Sequence, residues 1–373
     1  MRNVLFYVGI VLLGLLTVLA WRNRPPVNVR PLVLESQPTG IMGTSCSLCA
    51  VVPFSVSETS RLRVQEGLSR AEEALRQEEA RLSNWMDNSE ISRWNRSKDK
   101  SGLDVSPSLN WILHRSESAR QKTEGAFDIN CGSLLKLWKQ AQEKQAFPTD
   151  AEIQAAQADR SDAQLGGVAK GFAIDQAMDA LCSSLGRPVI DQFGDALPAL
   201  PDSPPRTEIP VLGLMIDVGG DILVLGRPAE NNNWTAKIVN PFSPNKIWGS
   251  FQIDASKSPT GRVAVCTSGE YHRGYKIGNR WFSHIIDPRT GRPLEHANGS
   301  PVSVTVIAPS CMEADIWATA LSVLGPDGLS LIPEDVQAYW ILGSPERPES
   351  IEIRQTANFP TVLLSKDQIF VTF

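Results

Sequence analysis

"TVIAPSCMEADIWATALSVLG", residues 305–325, holds the transition on which the reading of the fold turns. An apolar stretch closing on Pro309 gives way to a helix, and the helix announces its own start. Ser310 is placed as the N-cap and Glu313 as the residue that reaches back to it, a capping box that fixes the helical register. In that register Asp315 falls beyond the first turn, where a charge gains less from the helix dipole, and Thr319 stands four residues on, above it on the same face. Ile316, Ala320 and Val323 form the apolar stripe beside the pair. A carboxylate and a hydroxyl along the edge of a buried face suit two oxygen ligands of a hard cation such as Mg2+, which needs only one or two carboxylates plus substrate phosphates. The plainer reading is a solvated Asp and a Thr bonded to its own helix backbone, and on spacing alone that reading has the advantage.

Working outward, "QLGGVAKGFAIDQAMDALCSSLGRP" (164–188) passes from a glycine-rich turn into a helix carrying Phe172, Ala177, Leu181 and Leu185, and stops at Gly186 and Pro188. Gly166-Gly167 ahead of the helix, with Lys170 one turn in, would bring exposed N–H groups, dipole and cation together on a phosphate. A plain glycine-rich turn fits as well, since neither the P-loop spacing nor G-x-G-x-x-G is present. In "VLGLMIDVGGDILVLG" (211–226), Gly219-Gly220-Asp221 interrupts an apolar strand and predicts a bulge or a close backbone approach to a ligand. Thr267-Ser268-Gly269 ends another strand with two hydroxyls, for a phosphate or for a turn. "FSHIIDPRTGRPL" (282–294) contains a turn from Pro288 to Gly291; alternation in the strand before it puts His284 and Ile286 on one face and Ile285 on the other.

The first half is helical. Val64, Leu68, Leu75 and Leu82 recur among Glu and Arg from about Ser60 to Leu82, and Ser106-Pro107 opens a second helix that Gly125 closes. The second half reads as strands: besides those above, WTAKIVN, KIWGSFQID, RVAVCTSG, SPVSVTVIAP, VQAYWILG and the terminal IFVTF. Helices first, then strands with one helix, predict an α+β fold with mainly antiparallel sheet. The 373 residues, 42% hydrophobic and 21% charged, suffice for a full core, and a formal net charge of −5 gives no reason to expect nucleic acid.

From Val4 to Trp21 the chain carries no charge, about the length of a membrane-crossing helix. Val18-Leu19-Ala20 followed by Trp21 makes a poor signal-peptidase site, so residues 1–24 are read as an uncleaved anchor. Arg2 on one side and Arg22, Arg24 and Arg30 on the other leave orientation undecided. Residues 25–39, rich in proline, read as a linker, and 40–373 as the folded domain. Cys46 and Cys49 make a lone C-x-x-C without a second pair or nearby His, so structural or incidental cysteines are expected.

Taken in order, several segments resemble the ApbE family of FAD:protein FMN transferases: "MGT" (42–44), "SNWMDNSEISRWN" (83–95), "GAFDIN" (125–130), "LGGVAKGFAID" (165–175), "VGGDILVLG" (218–226), "TSGEY" (267–271), "SHIIDPRTG" (283–291) and "EADIWATALSVLG" (313–325). One such motif is weak; eight in sequence are strong. The resemblance implies that Asp315, Thr319 and the backbone carbonyl of Gly167 hold Mg2+, with Mn2+ as a substitute. It implies that Met42, Trp85, the Ala126-Phe127-Asp128 turn, Lys170 and Ile286 line the FAD site, and that His284 sits beside the reacting pyrophosphate.

The implied reaction is attack by a Ser or Thr hydroxyl of an acceptor protein on the FMN phosphorus of FAD, with release of AMP. Such chemistry rests mainly on positioning and electrostatics. A histidine with an ordinary pKa near 6.5 could take the hydroxyl proton or polarise a phosphate oxygen. The family's extracytoplasmic acceptors, combined with the anchor, place the domain on the periplasmic side of a bacterial inner membrane. Two departures stand out: Gln164 where the family commonly has Asp, and the short segment Ile129 to Ser133. They keep open a non-catalytic flavin-binding subunit of a membrane complex, and a second enzymatic reading is an FAD pyrophosphatase, with water replacing the hydroxyl.

Overall fold

Two tight turns with left-handed backbone set the register of the main sheet. At Met42-Gly43, φ is +47° and +66°, and the Thr44 N–H returns to the Ile41 carbonyl at 3.0 Å. At Gly219-Gly220, φ is +63° and +89°, and Val218 pairs directly with Asp221. Positive φ at both central residues is the two-residue hairpin turn whose twist matches its strands. The apolar run 211–226 is therefore two strands, not one strand with a bulge, and Asp221 opens the second. A Cβ on Gly219 would lie 2.6 Å from Thr44 Oγ1, so the two turns abut.

The computed structural model describes residues 30–100, 102–187, 209–228, 232–269, 274–295, 299–344 and 347–365. Their main sheet has eight antiparallel strands: β1 (Leu32–Ser36), β2 (Cys46–Val52), β3 (Gly213–Val218), β4 (Asp221–Gly226), β7 (Arg262–Gly269), β11 (Pro301–Ala308), β12 (Gln337–Ser344) and β13 (Arg347–Gln355), in that spatial order. The segment read as linker thus enters the fold earlier than expected. Leu32–Ser36 pairs with β2 as an edge strand, a position that tolerates the prolines around it. The residues read as the anchor, residues 188–208 and the strand IFVTF lie outside the described residues. Among those residues no helix is long and apolar enough to cross a membrane.

Helices α1 (Glu58–Leu82), α2 (Glu90–Arg96), α3 (Pro107–Lys122), α6 (Ala169–Ser184) and α7 (Cys311–Leu324) include those that cover one face of the sheet, over a core containing Leu75, Met178, Leu214, Val306 and Leu321. On the other face lies a small sheet of β5 (Trp234–Val239), β6 (Ile247–Ile253) and β14 (Leu363–Leu364), over a second core with Trp248, Phe251 and Ile341. Cys46 belongs to the first core and Cys49 to the second, as residues three apart on one strand must. All six cysteines are free thiols.

A third core joins α4 (Gly132–Lys144) and α5 (Asp150–Ala158) to a sheet of β8 (Tyr275–Ile277), β9 (Arg280–Asp287) and β10 (Arg292–Glu295). Neither helix was anticipated, although Leu134, Trp138 and Ala141 recur at helical spacing and Thr149 with Glu152 makes a complete capping box. The α+β architecture with antiparallel sheets is as the sequence predicts.

Candidate active site

Two helices meet where the chemistry-bearing residues gather. Gly171, in the first turn of α6, lies so close to α7 that a Cβ there would sit 2.3 Å from the Cys311 carbonyl oxygen. Its N–H, one of the donors a helix start leaves without an intrahelical partner, bonds Asp315 Oδ2 at 3.1 Å. The hydrogen-bonded ladder of α6 begins with the Phe172 N–H on the Val168 carbonyl, which leaves the Gly167 carbonyl outside it. A Cβ on Gly167 would lie 2.7 Å from Thr319 Oγ1. The structure therefore brings Gly167, Asp315 and Thr319 into one corner, with Asp315 only 6% exposed rather than solvated.

The expected capping box is half present. Ser310 Oγ accepts the Glu313 N–H at 3.2 Å, but no bond returns from the Glu313 side chain to the cap. The first amides of α7 are instead taken by Asp175 of α6: Oδ1 accepts Cys311 N–H and Oδ2 accepts Met312 N–H, both at 2.9 Å. Withdrawal from water pushes the Asp175 carboxyl up to about 7 against the pull of these two amides. Asp175 carried no role in the sequence reading. A carboxylate following Gly171-Phe172-Ala173-Ile174 on a buried helix was the available signal.

Lys170 does not stand alone either. Its Nζ pairs with Asp221 Oδ2 at 2.7 Å, while Asp221 Oδ1 accepts the Thr267 N–H at 3.1 Å. Burial works against the Lys170 ammonium, yet Asp221 and then Asp315 outweigh it and hold its pKa above the ordinary lysine value. Burial, with Asp221 next, drives the Asp315 carboxyl up to about 7. The corner thus places two buried carboxylates around one ammonium, an excess of negative charge that suits a cation. One carboxylate, one hydroxyl and one carbonyl, all oxygen donors, are ligand types that Mg2+ accepts, so the residues fit the ion. Among the described residues no group of three or more His, Cys, Asp and Glu could hold a metal, so a closed zinc-type centre is not what this corner offers.

The residues expected to line a flavin nucleotide divide into two sets. Met42 occupies the left-handed turn, its N–H on Glu79 Oε1 at 2.8 Å, and abuts the hairpin that delivers Asp221. Trp85 is 91% exposed, beside Asn84, whose side chain holds Ala163 and Leu165 just ahead of Gly166-Gly167. Met42 and Lys170 are half-buried. By contrast Ala126, Phe127 and Ile286 are buried, and the side chains of Phe127 and Ile286 belong to two different cores. Asp128 is tied by Arg160 at 2.5 Å and by the Asn130 N–H at 2.9 Å. Gln164 donates its amide to Asp162 Oδ1 at 3.1 Å.

His284 lies in a bulge. Asp287 and Ile286 pair with Arg292 and Pro293, but Phe282 pairs with Glu295, so three residues of β9, Ser283 to Ile285, oppose Leu294 alone. The Ile285 N–H turns in to Ser283 Oγ at 3.0 Å. The simple alternation read from sequence is therefore broken, and Ile286 packs with Leu134 and Trp138 instead of sharing a pocket face with His284. Bulges of this kind re-aim a side chain beside active sites. β9 packs against α7, which brings the histidine strand alongside the helix of Asp315. The turn after it is fixed: Asp287 Oδ1 accepts the Arg289 N–H at 2.9 Å, Trp138 Nε1 donates to the Gly291 carbonyl at 2.8 Å, and Gln157 holds the Pro288 and Arg289 carbonyls.

The α+β fold thus carries a helix-pair corner of Gly167, Asp315 and Thr319, with the bulged histidine strand packed against one of the two helices. The chain belongs to the ApbE family, whose model matches residues 42–197 and 208–340. It is 30% identical over 293 residues to a Klebsiella pneumoniae protein named FAD:protein FMN transferase, covering 77% of each chain. A Vibrio cholerae protein of the same name is 26% identical over 338 residues, covering 85% of this chain and 88% of the other. The fold is similar to that of the Pseudomonas stutzeri flavinyl transferase ApbE in its apo form, with a TM-score of 0.65 at 21% identity, covering 88% of this chain and 96% of that one.

Proposed function

We propose that this protein is a divalent-cation-dependent FAD:protein FMN transferase that moves FMN from FAD to a Ser or Thr hydroxyl of an acceptor protein. The observation that carries the reading is the corner where Gly167, Asp315 and Thr319 meet beside the Lys170–Asp221 pair. A divalent cation bound there would neutralise charge on the pyrophosphate. Lys170 adds a fixed positive charge for phosphate oxygens, and Trp85 offers a flat apolar surface to an aromatic ring of FAD. The acceptor hydroxyl oxygen forms the new bond to the FMN phosphorus, the bridging P–O bond breaks, and AMP leaves with that bridging oxygen. His284, on its bulge, takes the hydroxyl proton.

Val4 to Trp21 is part of the same proposal, as a single-pass anchor in a bacterial inner membrane with the folded domain on the periplasmic side; the uncharged run itself supports it. The test is to incubate the chain with FAD, Mg2+ or Mn2+ and several flavin-accepting proteins, and to read flavin fluorescence in denaturing gels. Label that disappears with Asp315→Ala and His284→Ala is expected. No label with any acceptor sinks the transferase reading, and free FMN and AMP without acceptor would redirect it to pyrophosphatase activity.

A further inference from the structure

Both oxygens of Asp221 are committed: Oδ1 to the Thr267 N–H and Oδ2 to Lys170 Nζ. The carboxylate is 3% exposed and is set by the Gly219-Gly220 hairpin, so it can neither rotate nor retreat into water. Lys170 is adjacent to Gly171, whose N–H already touches Asp315. The ammonium therefore springs from the residue next to the one bonded to the cation-ligating carboxylate, and Asp315 attracts it. The other nearby acid, Asp217, is engaged with the Gly220 N–H at 2.9 Å. An untethered Lys170 would have Asp315 as its natural partner, and an ammonium on Asp315 competes directly with a divalent cation.

We propose that Asp221 is a positioning residue that holds the Lys170 ammonium away from Asp315, and so keeps the Asp315 carboxylate open to a divalent cation while leaving the ammonium aimed at substrate phosphate. This rests on the cation reading above. It differs from the plain account of a buried ion pair, which contributes little to stability by itself. It also differs from a purely electrostatic role, in which Asp221 would only add negative charge near the ion.

The experiment is a binding cycle on the full chain with Mn2+ as the probe, reading free Mn2+ by electron paramagnetic resonance. The variants are Asp221→Asn, Lys170→Met, the double variant and Asp315→Ala. Asp221→Asn weakens Mn2+ binding about tenfold or more, and adding Lys170→Met restores it to within about threefold of Lys170→Met alone, a coupling typical of contacting charged groups. Equal losses from Asp221→Asn with and without Lys170 overturn the proposal. If Asp315→Ala binds Mn2+ as the parent does, the cation reading itself fails; if it loses binding while the cycle is additive, only the role of Asp221 falls. Metal-free thermal unfolding checks each variant. Should Asp221→Asn not fold, Asp221→Ser, which also removes the charge, takes its place, with the same recovery by Lys170→Met expected and an additive cycle again decisive against the proposal.

Discussion

Gly167 and Thr319 approach so closely that a single added methyl on the glycine would lie 2.7 Å from the threonine Oγ1. Gly167→Ala should lower stability by roughly 1–3 kcal/mol through overpacking. Combining it with Thr319→Ala should recover much of that loss without recovering the Mn2+-induced rise in thermal midpoint. Thermal unfolding with and without Mn2+ separates the two effects, and a Gly167→Ala variant as stable as the parent would refute the close approach to Thr319.

Asp315 is 6% exposed, and burial together with Asp221 works against its charge. Asp315→Asn is therefore expected to leave the metal-free protein at least as stable as the parent at neutral pH, while abolishing stabilisation by Mn2+. A large loss of metal-free stability would show that the carboxylate is there to hold the fold.

The Asp175 carboxyl, which burial pushes up to about 7, gives a pH signature. Its folded pKa exceeds that of an Asp in the unfolded chain, so the folded state binds the extra proton and stability falls as pH rises between about 4 and 7. Asp175→Asn should flatten that part of the curve. Denaturant midpoints at pH 4.5 and 7.5 for both proteins test it, and identical slopes would refute the assignment.

Trp85→Ala removes a side chain that is 91% exposed, so stability should change by no more than about 0.5 kcal/mol. FAD affinity should fall about tenfold, in line with loss of one ring stacking on an aromatic face. Equilibrium binding of FAD followed by flavin fluorescence measures this directly.

Ile286→Ala should behave in the opposite way. With Ile286 packed against Leu134 and Trp138, truncation should cost about 2–5 kcal/mol in denaturant unfolding. FAD affinity at low temperature, where the variant stays folded, should be nearly unchanged.

The difference between Trp85 and Ile286 shows how far the sequence alone reaches. Helical registers are legible in it because caps and 3.6-residue spacing are local, so Asp315 and Thr319 pair on spacing by themselves. Gly167 joins them only through family resemblance, since contact between α6 and α7 spans more than a hundred residues of chain. The bulge at Ser283 to Ile285 is invisible in the sequence because alternation is written in the strand itself, whereas the skipped register exists only against β10. Asp175 goes unnoticed, and Asp221 is read only as part of a glycine bulge, for a related reason. Each looks like one acid among many until tertiary contact gives it a partner: two α7 amides for Asp175, an ammonium for Asp221. The edge strand Leu32–Ser36 is hidden by flanking prolines that an outermost strand can accommodate.

The hairpin after His284 is fastened to α4 by Trp138 and to α5 by Gln157, over a core of its own. The histidine strand therefore forms a cassette with those helices and packs against the Asp315 helix. Exchanging residues 132–158 and 280–295 together between relatives should transplant the histidine with its setting intact, whereas exchanging either segment alone would leave a tryptophan or a hairpin carbonyl without its mate.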